Sequence, residues 1–186
     1  MRTALSALFF LFFHFASPAR AAEPYKIAIL EFDAVTAEAQ KENLGRLTAE
    51  FLVTAAVNAG SFSVVERAAL KKVLDEMQFG QSSDAPGSVA QAIGAMVGAR
   101  GVLTGSVART GGSVRLDARL IDVATGSIVA ARSAYAKTDL RSLATAAELL
   151  VSQLAGDVAR LTPPPAPPAP VPQAAPEPAP APEKAQ

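Results

Sequence analysis

Acidic and basic side chains sit at a few positions where they could act together. Asp33 closes an apolar run, and Glu66-Arg67 closes a second one. Farther along, Arg115, Asp117 and Arg119 alternate with apolar residues, and Arg132 follows in the next segment. If the runs ending at Asp33 and Glu66 are parallel strands, both carboxylates reach the same edge of the sheet. In open α/β sheets that edge is where ligands bind, and a carboxylate pair there could support metal-dependent hydrolysis. No general base, metal-ligand set or phosphate loop accompanies them. The chain has no cysteine, and its one histidine, His14, lies in the N-terminal apolar segment. If that segment is removed, Ser-His-Asp and Cys-His catalysis and the common zinc sites are excluded. Glu66-Arg67 reads better as the corner between a strand and a helix, where Glu66 suits the positive end of the helix dipole. The expectation is therefore a non-enzyme with no cofactor and no metal, and with Asp33 and Glu66 as the least favoured site.

These residues need elements to position them, and two segments at the ends contribute none. Residues 1–21 have a basic start at Arg2, an apolar stretch from Ala4 to Ala16, and the small-x-small triplet Ala19-Arg20-Ala21. That is the pattern of a secretory signal peptide cleaved after Ala21. Its apolar run is shorter than the ~20 residues of a membrane-spanning helix. Residues 162–186 are almost all Pro and Ala, with no apolar pattern that could fold, and read as a disordered tail sampling polyproline II. One compact domain is expected between them, over residues 24–161. Lys plus Arg and Asp plus Glu each total 17, and there is no basic run and no Trp. Nucleic acid is not an expected partner.

"YKIAILEF" (Tyr25–Phe32) is apolar on both faces, with Ile27 and Ile29 on one side and Ala28, Leu30 and Phe32 on the other. That marks a central strand. From Thr36 to Ala59 the spacing of Leu44, Leu47, Phe51 and Ala55 predicts one helix, closed by Gly60. Ser61–Glu66 is then a short strand, and strand, helix and strand make a right-handed parallel crossover. Leu70, Val73, Leu74 and Met77 form the apolar stripe of a second helix. Val89, Ile93, Met96 and Val97 form that of a third, in which Gly94 and Gly98 imply close packing or a helix end.

Three strands joined by "RTGGS" and "ATGS" follow, an antiparallel meander. In the middle one, Val114, Leu116, Ala118 and Leu120 alternate with Arg115, Asp117 and Arg119, so one face is buried and one is wet. Gly105 implies a bulge or a close backbone approach. A last helix begins near Thr138-Asp139, with Leu140, Leu143, Ala147, Leu150, Leu154, Val158 and Leu161 on one stripe. Such a stripe would make a coiled-coil seam or cover the sheet, and a small domain favours the cover. The fold class is thus α/β, a mixed β-sheet with one β-α-β crossover plus an antiparallel meander, packed with about four helices.

"VVERAALKKVLDEMQFGQ", "AIGAMVGARGVLTGSVART" and "RLIDVATGSIVAA" together resemble the envelope-assembly family of the curli secretion protein CsgG. Its relatives include the penicillin-binding-protein activator LpoB and the flagellar protein FlgO. The resemblance spans most of residues 25–137 and implies a sandwich similar to the N-terminal domain of TolB. It also implies a periplasmic, non-enzymatic role in assembling or regulating an envelope machine. CsgG-like pores are lipoproteins with extra hairpins that build a membrane barrel. Here no cysteine can carry a lipid, and the connections are too short for membrane strands of ~9–11 residues each.

The expected partner is therefore an envelope protein, met through the polar sheet face or a sheet edge, with Arg115, Asp117, Arg119 and Arg132 as contacts. A ring-forming outer-membrane component of the CsgG type is the alternative. A homo-oligomer and proximity of the Pro-rich tail to peptidoglycan are further expectations.

Overall fold

A computed structural model describes residues 24–78 and 86–161. The expected leader, the Pro-rich tail and residues 79–85 lie outside the described residues. In chain order the elements are β1 (Tyr25–Ile29), β2 (Asp33–Ala34), α1 (Ala37–Lys41), α2 (Leu44–Ala59), β3 (Phe62–Val64) and α3 (Arg67–Gln78). Then come α4 (Pro86–Met96), β4 (Gly101–Thr110), β5 (Ser113–Asp122), β6 (Ile128–Lys137) and α5 (Leu140–Leu161). The strands form one mixed sheet in the order β3-β1-β4-β5-β6, with β2 beside β4 farther along. β1 is parallel to β3 and to β4, while β4, β5 and β6 are antiparallel. The α/β class, the parallel crossover and the meander all match the sequence expectation.

Two local departures have clear causes. The first apolar run is not one strand. β1 ends at Ile29, the chain steps outward, and β2 resumes pairing at Asp33↔Ser106. This break turns Phe32 onto the side of Ile27 and Ile29, whereas an unbroken strand would place it with Ala28 and Leu30. The expected helix from Thr36 to Ala59 is also split. Asn43 adopts a left-handed conformation, φ 52°, between α1 and α2. Asn tolerates that region better than most residues, and the kink carries α2 beneath the step in the first strand. There the Gly45 carbonyl accepts the Phe32 N–H at 3.3 Å, and a Cβ on Gly45 would overlap the Phe32 carbonyl oxygen. Five helices result where about four were expected.

α2 and α5 cover one face of the sheet along its length. Leu52 and Ala56 of α2 and Leu143, Ala147, Leu150 and Leu154 of α5 pack with Leu103, Val107, Leu116 and Leu120. The α5 stripe thus covers the sheet through its five central positions, while Leu140 and Leu161 at its ends remain exposed. Asp139 caps α5, its Oδ1 accepting the Ser142 N–H at 2.9 Å. On the opposite face, α3 and α4 cover the parallel half and the adjoining end of β5, over Ala28, Val65, Val102 and Ile121. Leu70 is buried there, whereas Val73, Leu74 and Met77 are half-buried. In α4, Ala90 and Ile93 point inward, and Met96, expected on the inner stripe, is 53% exposed. Gly94 packs against Val102 and Val123 with no space for a side chain, and Gly98 ends the helix with φ 63°.

Candidate partner-binding face

Among the described residues, nothing covers the antiparallel part of the sheet on one side. Strand periodicity places every second residue of β4, β5 and β6 there. Register aligns Thr104, Ser106 and Ala108 of β4 with Arg119, Asp117 and Arg115 of β5. Those three in turn align with Ala131, Ser133 and Tyr135 of β6. Charged side chains run down the middle strand, flanked by small ones, and Tyr135 rises at one side, 68% exposed. Between Arg115 and Arg119 lies a depression of about 430 Å³, floored by Asp117, Ser106 and Ser133.

Asp117 organises this face. Its Oδ1 accepts hydrogen bonds from Arg115 Nη2 at 2.8 Å and Nε at 3.1 Å, and from the Ser133 hydroxyl at 2.6 Å. The Arg115 guanidinium also lies 5.8 Å from the Tyr135 ring centre, within range of a cation–π contact. The hydrogen bonds from Arg115 hold the Asp117 carboxyl below the usual range, helped by the Ser133 hydroxyl and the charge of Arg119, while partial burial works against them. Arg115 and Asp117 neutralise each other. Among the described residues Arg119 makes no ion pair.

Arg115, Asp117 and Arg119 therefore share one face. Arg132 belongs to the other row of side chains. It pairs in register with Ala118 and sends Nη2 to Asp157 Oδ1 of α5 at 2.6 Å, while Nη1 donates to the Ala131 carbonyl at 3.1 Å. It borders the depression only from the edge of the sheet. Its place there has a structural cause, because it neutralises a 9%-exposed aspartate and covers a carbonyl of the edge strand. Tyr135 and Ser133 were not singled out from sequence. The pairing of β6 with β5 beyond the register shift at Leu120/Ile121 is what places them beside Asp117 and Arg115.

Asp33 and Glu66 are both exposed, at the ends of β2 and β3. The Glu66 carbonyl accepts the Leu70 N–H at 3.1 Å, starting α3. Arg67 turns away from Glu66 and pairs with Glu50 at 3.2 Å and Glu31 at 3.9 Å, tying α3 to α2 and to the exit of β1. Among the described residues no three His, Cys, Asp or Glu side chains are grouped so as to hold a metal ion.

Among the described residues the chain is thus an α/β sandwich with helices over one whole face and half of the other, and with a polar network on what remains bare. The chain belongs to the CsgG family: the family model described as "Curli production assembly/transport component CsgG" matches residues 11–114. The match reaches from the N-terminal apolar segment to the start of β5, so the "RLIDVATGSIVAA" hairpin lies beyond it. The LpoB C-terminal domain from Salmonella enterica is 22% identical over 64% of this chain and 87% of its own, with a TM-score of 0.47. Lipoprotein GNA1162 from Neisseria meningitidis is 17% identical over 72% of this chain and 99% of its own, with a TM-score of 0.48. TolB from Acinetobacter baumannii is 13% identical over 74% of this chain and 28% of its own, with a TM-score of 0.43. No curated protein matches the chain. Among the described residues no helix is long and apolar enough to cross a membrane.

Proposed function

We propose that this chain is a non-enzymatic periplasmic module that binds a protein of the cell envelope through the bare antiparallel face and so assists assembly or regulation of an envelope machine. The observation that supports this most directly is the Arg115–Asp117–Ser133 network beside Arg119, which has no ion pair among the described residues. The network fixes one guanidinium, stacks it near an exposed tyrosine, and does not include the second. Tyr and Arg are the residues most often found as anchors in protein interfaces, and a buried charged partner would give such a contact its specificity. Membership of a family of assembly and transport components supports an envelope role, and the signal-peptide pattern supports the periplasm.

Reversal of Arg115 and Arg119 to Glu tests the reading. The double variant is expected to lose a partner captured from envelope extract while keeping its circular dichroism melt. Capture unaffected by the double reversal would exclude this face. The ring-forming alternative makes a different demand, a large defined oligomer in light scattering of the purified chain.

A further inference from the structure

The bare face is small. It is three strands wide, with neighbouring strands ~4.8 Å apart and ~3.4 Å of length per residue. That amounts to an area on the order of 400 Å², about half of what one partner contributes to a standard protein interface. An extended segment fits it better than a domain does. Arg115 and Asp117 cancel, so the charges left over are Arg119 at one end and Lys137 at the other, neither in an ion pair among the described residues. Lys137 registers with Ser113, six residues along β5 from Arg119. The two cations are therefore about 20 Å apart along the strands. Tyr135 stands between them, one row from Lys137.

The chain carries a segment with matching features. Residues 177–183 read Glu-Pro-Ala-Pro-Ala-Pro-Glu. A polyproline II helix has three residues per turn and rises ~3.1 Å per residue, so carboxylates six residues apart share one side and lie about 19 Å apart. Pro180, three residues from each, falls on the same side. In a polyproline II helix Lys184, one residue beyond Glu183, would face another side. Proline rings packed on an aromatic side chain are a recurring mode of polyproline recognition.

The chain path agrees. Asp157 binds Arg132, so the last turn of α5 lies beside the first half of β6, near Ala131 and its partner Arg119. Residues 162–176 can extend by about 45 Å. Rounding the sheet edge crosses one layer, on the order of 10 Å. The tail therefore reaches the Arg119 end of the face first and would run on toward Lys137.

We infer that residues 177–183 dock in cis on the bare face of their own chain, with Glu177 toward Arg119, Pro180 on Tyr135 and Glu183 toward Lys137. The tail then covers the surface assigned above to a partner, and a partner has to displace it. Only this competition rests on the proposed function; the docking itself is measured on purified protein with no partner present.

Because the chain has no cysteine, Ala179→Cys gives a unique site for a nitroxide label on the full chain. The label should abolish the amide signals of Asp117, Ser133 and Tyr135 in NMR spectra and spare those of Ala147 and Leu150 on the far side. Glu177→Lys with Glu183→Lys should restore the lost signals, as should 0.5 M salt, because exposed charge pairs are screened. Adding Arg119→Glu and Lys137→Glu to the tail reversals should bring the broadening back. Circular dichroism melts confirm that each variant is folded. Broadening spread evenly over the surface, or indifferent to the tail reversals, would mean that the tail only solubilises and would overturn the inference. Broadening of an isotope-labelled, nitroxide-free chain by a second, nitroxide-bearing chain would overturn it too, by showing docking between copies.

Discussion

At the scale of single residues, the sheet leaves little freedom at Gly105. A Cβ there would overlap the Asp117 carbonyl oxygen on one side and reach 2.6 Å from the Phe32 ring on the other. One obstacle is backbone, which cannot turn away as a flexible side chain can. Gly105→Ala is expected to lower stability by roughly 1–3 kcal/mol, the usual cost of overpacking, and urea denaturation would read it. A variant as stable as the native chain would mean that β4 and β5 can separate locally. Asp117 gives a second test. Its carboxyl titrates below the ordinary value in the folded chain, chiefly because of Arg115. Its contribution to stability is therefore complete above the unfolded-state value of ~3.9 and is lost as pH falls through the lower folded value. Asp117→Asn should lower the neutral melt slightly, since the pair is open to solvent, and weaken by the same small amount the loss of stability on acidification below about pH 4. An identical acid profile would show that Asp117 is not held by Arg115 in solution. The close approach at Gly105 was legible in the sequence, because glycine inside a strand has few other uses. The loss of Arg132 from the site was not legible. Its row follows from the pairing of β6 with β5, and the register shift beside Leu120/Ile121 is invisible to a simple count of alternation.

At the scale of elements, α3 and α5 carry similar leucine stripes with unequal burial. Leu150 of α5 is fully buried, within the core over β5 and β6. Leu74 of α3 is only half-buried, on the face that the helices cover in part. Leu150→Ala should cost ~2–5 kcal/mol and Leu74→Ala less than ~2, since the cost follows the apolar area and cavity left behind. Chemical denaturation of the two variants side by side checks the ranking, and an equal or larger loss at Leu74 would contradict the packing of α3. Helical spacing in a sequence identifies which residues share a stripe, and that much was legible for α3 and α5. How deeply a stripe is buried depends on the width of what lies beneath it, which periodicity does not report. The same limit explains Met96, which keeps the spacing of Ile93 and Val97 but falls off the end of the covered half-face. The breaks at Asn43 and between β1 and β2 were hidden for another reason. Apolar residues continue through the second, and the first falls in the polar run Gln40–Asn43, which holds no Gly or Pro to mark a helix end.

At the scale of the whole molecule, two helices close one side of the sheet and two close half of the other, and the described fold has no vacancy for another element on its covered faces. Among the described residues Val158 is the last buried apolar one, and Leu161 already stands 56% exposed. Residues 162–186 offer mostly Pro and Ala, with Val171 as the one branched aliphatic side chain, so their chemistry gives little with which to extend the core. Docking of 177–183 on the bare face would rest on exposed charge pairs and one ring contact, which together add little to folding stability. Truncation after Leu161 should therefore move the melting temperature by less than roughly 3 °C, equivalent to under about 1 kcal/mol for a domain of this size. The same truncation should sharpen partner capture in a pull-down, because it removes a competitor from Arg119 and Tyr135. Differential scanning calorimetry and capture from envelope extract would separate the two effects. A large fall in the melting temperature would place the tail within the folded unit and refute its separation from the 24–161 domain. An unchanged melt with weaker capture would make the tail part of the partner's own binding site.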